Sequence, residues 1–127
     1  FGTPTDVTEY QLCLAFARDS GEGRFIPAWD IEEVTPNLIK KFKEDASNLP
    51  VKVFVSIGGN DPFKVDDDGA DDWILNATTT LGSIINEYHI DGIDVIYTTI
   101  ECNKDTFVNC IKNLIKGLRE ALGTTGF

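Results

Sequence analysis

Residues 91–101 read DGIDVIYTTIE, an apolar and β-branched run that holds Asp91 and Asp94 and ends at Glu101. Carboxylates in such a run cost free energy unless they are hydrogen-bonded or put to use, and the use that suits them is proton transfer. Successive side chains of a strand point to opposite faces, so Asp94 shares a side with Ile96 and Thr98, while Asp91 faces away. Asp91 opens the strand, where its carboxylate can accept bonds from loop amides. Asp94 is the candidate centre of a site, the alternative being a satisfied core aspartate. Glu101 lies beyond the apolar run with parity opposite to Thr98. It is expected to point into the loop unless a bulge re-aims it.

A second stretch, SIGG at 56–59, closes another apolar run. Paired glycines at the end of a parallel strand permit a tight exit and the close approach of a ligand or a backbone. They sit at the sheet edge where ligands bind in both doubly wound sheets and (β/α)8 barrels. No GxGxxG or GxxxxGK[ST] surrounds them, so this is not a phosphate loop, and a plain structural turn is the competing reading. Ser56, Gly58, Gly59, Asp94 and Tyr97 are the candidate ligand-binding residues.

The elements that must position these residues follow from periodicity. YQLCLAFA (10–17) is nearly continuous in apolar residues, which predicts a strand buried on both faces of a parallel sheet and a buried free thiol at Cys13. Thr35 as N-cap and Pro36 at the first helical position start a helix with Leu38, Ile39 and Phe42 on its apolar stripe. VKVFVSI (51–57) is the second strand. From near Asp71 a helix carries Trp73, Ile74, Ala77, Leu81, Ile84, Ile85 and Tyr88 at helical spacing. IDGIDVIYTTI is the third strand, and a last helix from about Lys104 to Leu122 is stopped by Gly123. The order β, α, β, α, β, α with apolar strands predicts right-handed crossovers and a parallel sheet. Closure is open between a small doubly wound sheet and part of a (β/α)8 barrel, which typically needs about 250 residues.

Composition narrows the partners. The 127 residues suit one domain or a piece of a larger one, and 42% hydrophobic with 25% charged residues fits a globular class. A formal net charge of −10, from 21 acidic and 11 basic residues, repels a phosphate backbone, so neither nucleic acid nor an anionic membrane is an expected partner. Cys13, Cys102 and Cys110 cannot all pair within the chain, and with the single His89 they make no metal pattern. Asn76, Ala77 and Thr78 form an N-glycosylation sequon. Phe1 in first position and the end at Phe127 suggest a processed chain or a fragment.

SIGG followed about thirty residues later by DGID resembles the paired signatures of family 18 glycoside hydrolases, whose acidic strand reads DxxDxDxE. With WDIEEVTP, NLPVKVFVSIGG, a Trp opening the next helix and YHIDGID, the pattern is most similar to the plant branch of that family, over nearly all of Tyr10 to Leu122. The resemblance implies a (β/α)8 barrel, with the strands here matching barrel strands two to four and residues 1–127 forming an incomplete barrel domain. It implies no cofactor, a chitin-type oligosaccharide or a protein as partner, and a secreted, vacuolar or seed-storage compartment. The family's four acidic positions fall on Asp91, Asp94, Ile96 and Thr98, and the last two do not match. In this substrate-assisted class the final Glu protonates the glycosidic oxygen and the preceding Asp orients the substrate's N-acetyl group. Ile has no proton to give, and a Thr hydroxyl does not readily donate one near neutral pH. The expectation is therefore a chitinase-like protein without enzymatic activity, an active chitinase being the alternative.

Two further expectations follow. Trp29 and Trp73 could stack on sugar rings, but Trp73 lies on an apolar helix stripe and Trp29 precedes a helix, so packing is the stronger reading for both. Three parallel strands with two unpaired edges and an uncovered inner face should make the isolated chain self-associate.

Overall fold

The computed structural model describes residues 10–45 and 50–123. Their elements run β1 (Tyr10–Asp19), β2 (Phe25–Pro27), α1 (Pro36–Glu44), β3 (Val51–Gly59), α2 (Ala70–Glu87), β4 (Gly92–Tyr97) and α3 (Lys104–Leu122). The sheet order is β2-β1-β3-β4. Strands β1, β3 and β4 are mutually parallel, and the short β2 folds back antiparallel on the end of β1. This is the predicted alternation of strand and helix, with β2 as an addition.

Local chemistry accounts for the helix ends. The Thr35 side chain accepts from the Leu38 amide at 3.2 Å, and Pro36 opens α1 where its missing N–H costs nothing. Asn103 caps α3 by accepting from the Asp105 amide at 2.8 Å. Gly123 closes α3 in the left-handed conformation, φ 64°, with its N–H on the Arg119 carbonyl. Helix α2 has no side-chain cap, but Asp71 and Asp72 lie in its first turn, where the helix dipole favours negative charge.

The core lies on one side of the sheet. Leu14 of β1 and Val53, Val55 and Ile57 of β3 join Ala77, Leu81, Ile84 and Ile85 of α2 and Cys110, Leu114 and Leu118 of α3 in one buried cluster. The other face is uncovered over much of its area, with Gln11, Cys13, Ala15, Lys52, Asp94 and Ile96 exposed. This corrects the expectation for Cys13, whose thiol is exposed rather than buried. An apolar run shows that a strand is not solvated on both sides, yet helices here cover only one. The third strand is also shorter than expected: β4 ends at Tyr97, and an isolated parallel bridge between Phe63 and Ile100 carries the pairing past it.

Candidate functional site

Register fixes which side chains meet on the uncovered face. Ala15 is level with Ser56, and Ser56 with Asp94, so three adjacent parallel strands bring β1, β3 and β4 side chains into one row. The Ser56 hydroxyl lies 2.7 Å from the Cys13 sulfur, one level below, and reaches an Asp94 carboxylate oxygen at 3.5 Å. Ser56 is buried while Asp94 is exposed. Beyond Asp94 on the same face come Ile96, 39% exposed, and Thr98, whose hydroxyl donates to the Gly59 carbonyl at 3.3 Å. The row thus reads carboxylate, hydrocarbon, hydroxyl.

Asp91 has a different task. One of its carboxylate oxygens accepts from the Val53 amide at 2.8 Å and pairs with Lys43 of α1 at 2.8 Å, while its own amide donates to the Val53 carbonyl at 2.7 Å. Lys43 also donates to the His89 carbonyl. Asp91 therefore bonds a neighbouring strand's amide in place of the loop amides expected from sequence, and so ties β3, β4 and α1 together at the start of the strand.

Gly58 and Gly59 make the close exit that their sequence suggested. Gly58 has φ 103°, and a Cβ there would stand 2.7 Å from the Ile96 carbonyl carbon, so the approach of β3 to β4 requires glycine. At Gly59, φ 65°, a Cβ would press on the Phe16 ring at 2.9 Å. Tyr97 is separated from the other candidates. It lies on the opposite face of β4, edge-on to Phe63 and Phe107 at centroid distances of 5.2 and 6.0 Å. Burial there, with Asp19 and Asp61 nearby, pushes its hydroxyl pKa well above the ordinary value.

The C-terminal ends of the strands hold groups that sequence reasoning passed over. Arg18 and Asp61 form a two-bond ion pair at 2.9 and 3.2 Å. Asp19 accepts from the Gly21 and Gly23 amides and from the Trp73 indole at 2.9 Å, which shapes the turn into β2. Trp73 is buried against Phe25 and Phe63, and Trp29 meets the Tyr88 ring edge-on at 5.3 Å, so both tryptophans pack into the protein body. Glu101 pairs with Lys64 at 3.3 Å in the loop beyond β4. Asn76 lies within α2 and donates its side-chain amide to the Glu22 carbonyl at 2.9 Å. Among the described residues, no three His, Cys, Asp or Glu side chains are placed to hold a metal ion, and no helix is long and apolar enough to cross a membrane. Cys13 was the least legible member of the row: its parity is visible in the sequence, but its neighbour Ser56 depends on a register that the sequence does not show.

No family model matches the chain. It is 44% identical to RuBisCO-associated protein of Glycine max over 92% of its own length and 45% of that protein's. It is 32% identical to Chitinase 1 of Tulipa saxatilis subsp. bakeri, over 88% of the chain and 39% of the relative. The family 18 chitinase of Crocus vernus superposes with a TM-score of 0.82 and 32% identity, over 94% of the chain and 47% of that structure. The chain spans less than half the length of each. The fold is therefore part of a (β/α)8 barrel, three consecutive strand–helix units of it. Over most of its length the chain is thus similar to chitinase-like proteins of glycoside hydrolase family 18 from plants, with RuBisCO-associated protein of Glycine max among these relatives.

Proposed function

We propose that residues 1–127 form part of a chitinase-like barrel domain whose acid-bearing strand has lost its acid, and that the protein acts without catalysis. The row Asp94, Ile96, Thr98 carries this reading: Asp94 and Ile96 share one face of β4 and Thr98 follows just past its end, and where an orienting carboxylate and a proton donor are needed there stand a hydrocarbon and a hydroxyl bonded to a backbone carbonyl. Glu101 supports it too, since its carboxylate is engaged with Lys64 outside the strand. Of the two curated relatives, the one at 44% identity is named for an association and the one at 32% for catalysis, which favours binding of a protein partner over turnover. Storage and the binding of a chitin-type oligosaccharide are compatible with the same face. In the binding case Ser56, Gly58, Gly59 and Asp94 line the contact, with Tyr97 acting behind the strand through packing.

The test is hydrolysis of chitin oligosaccharides by the full-length protein, comparing the natural sequence with the paired change Ile96→Asp and Thr98→Glu. General acid catalysis typically contributes about 10²–10⁴-fold, so the natural protein should run near background and the double variant should gain measurable turnover. Turnover by the natural protein that disappears in Glu101→Gln would overturn the proposal.

A further inference from the structure

The sequence holds a single Asn-x-Ser/Thr tripeptide, Asn76, Ala77 and Thr78, for which the preceding proposal has no use. All three residues lie in α2, which connects β3 to β4 and packs on the covered face of the sheet beside α3. Helices form the outer ring of a (β/α)8 barrel, so the outer side of α2 stays outward however the barrel is completed. Ala77 is fully buried, and the residues either side of it are partly exposed on opposite flanks of the helix. Thr78 lies against Gly117 of α3, where an added Cβ would stand 2.9 Å from the threonine hydroxyl oxygen. Asn76 borders the turn between β1 and β2, and its Nδ2 donates to the Glu22 carbonyl at 2.9 Å. Asp72 and Thr79, one turn to either side of Asn76, are exposed, and Leu75 is 66% exposed, more than any other large apolar side chain among the described residues.

From this placement we infer that Asn76 is an N-glycosylation site, occupied while the full-length protein passes through the secretory pathway. The donor is an oligosaccharide linked through N-acetylglucosamine to a lipid diphosphate. Nδ2 of Asn76 forms a bond to the anomeric carbon, the bond from that carbon to the diphosphate oxygen breaks, and the lipid diphosphate leaves with the electron pair. One of the two Nδ2 protons is lost to base, and nothing is oxidised or reduced. The proton that remains is enough for the bond to the Glu22 carbonyl, so the modified side chain can keep its place beside the turn. The exposed positions around Asn76 leave room for the sugar, and a ring carried there is broad enough to shield Leu75 from water. Thr78, whose hydroxyl completes the acceptor, is taken up in the contact with Gly117, so transfer precedes the docking of α2 on α3. The site lies across the sheet from Asp94 and Ile96 and does not rest on the loss of the acid.

Mass spectrometry of the full-length protein purified from its own tissue tests the assignment. Tryptic cleavage after Lys64 and Lys104 gives the peptide 65–104, which holds Asn76, Asn86 and Asn103. It is expected chiefly in a form heavier by one glycan. Peptide-N-glycosidase A in water enriched in heavy oxygen should remove that mass and leave a labelled aspartate at position 76 alone. Expressed in the source cells, Thr78→Ala should lose the glycan with the Asn76 side chain intact, and Asn76→Gln should lose it while keeping an amide. Thr78→Ser retains the hydroxyl and should restore the modified form, which separates a missing acceptor from a misfolded variant. A peptide 65–104 found only unmodified in protein from the tissue, a glycan that survives Thr78→Ala, or one as fully lost in Thr78→Ser as in Thr78→Ala would each overturn the inference.

Discussion

At the scale of single residues, environment decides what each group can do. Cys13 and Cys110 are both small thiols in apolar sequence surroundings, yet one faces outward beside the Ser56 hydroxyl and the other is buried in α3. Burial pushes the Cys110 thiol up to about 11, with Cys102 and Asp71 adding to the shift. The thiolate is the reacting species, so at pH 8 only about one Cys110 in a thousand is in reactive form even before access is considered. With dilute protein, a maleimide should therefore modify Cys13 quickly, Cys102 next and Cys110 last, read by mass spectrometry of quenched samples. Cys110 labelling as fast as Cys13 would contradict the packing of α3. Asp91 and Asp94 show the same division: one carboxylate is committed to an amide and a lysine, and the other is open on the face.

At the scale of elements, the joint between β3 and β4 positions everything of interest. Gly58→Ala combines an unfavourable positive φ with a Cβ set 2.7 Å from the Ile96 backbone. It should cost about 2–4 kcal/mol, seen as a lower midpoint in urea. At the other end of the joint, Asp91→Ala strands the Val53 amide and takes the counter-ion from Lys43, and should cost about 1–3 kcal/mol. Asp91→Asn keeps an acceptor for the amide and should cost less. Equal losses for the two would mean that the amide bond contributes nothing. Sequence showed these elements unequally. Helix α3 was legible to its last residue, because its apolar stripe is long and Gly123 is a left-handed stop. Thr35 and Pro36 likewise announced α1. Strand β2 was not legible, since three residues have no period and their pairing with β1 depends on the turn organised by Asp19. The faces of β1 were misjudged because nothing in an apolar run tells whether one helix layer or two will cover it. For the candidate site, parity placed Asp94, Ile96 and Thr98 together, while Tyr97, grouped with Asp94 as a ligand-binding candidate, packs against Phe63 and Phe107 behind the strand. The contact of Cys13 with Ser56 depends on inter-strand register, which local sequence does not encode.

At the scale of the whole molecule, one helix layer over one sheet face concentrates stability between the sheet and α2 and α3. The two groups whose titration this layer resists are Tyr97, pushed up by burial and by Asp19 and Asp61, and Cys110, pushed up to about 11. Both are neutral when protonated, and both keep the proton longer in the folded state than in the unfolded chain. Below the unfolded-state values, about 8.5 for a thiol and about 10 for a phenol, the two states bind protons equally and stability is flat on their account. As pH rises past each of those values the unfolded chain ionises first, so folding weakens progressively until the folded-state value is reached. The chain should therefore hold a steady melting temperature through neutral pH and lose it from about pH 9 upward, first through Cys110 and then through Tyr97. A net charge of −10 that grows more negative acts in the same direction. Tyr97→Phe keeps the ring between Phe63 and Phe107 while removing the phenol, so its unfolding above pH 10 should be delayed relative to the natural chain, with little change at pH 7. Melts followed by circular dichroism across this range give the comparison. Coincident alkaline profiles for the two proteins would show that Tyr97 ionises as readily folded as unfolded, and that the aromatic cluster behind the candidate site is open to water.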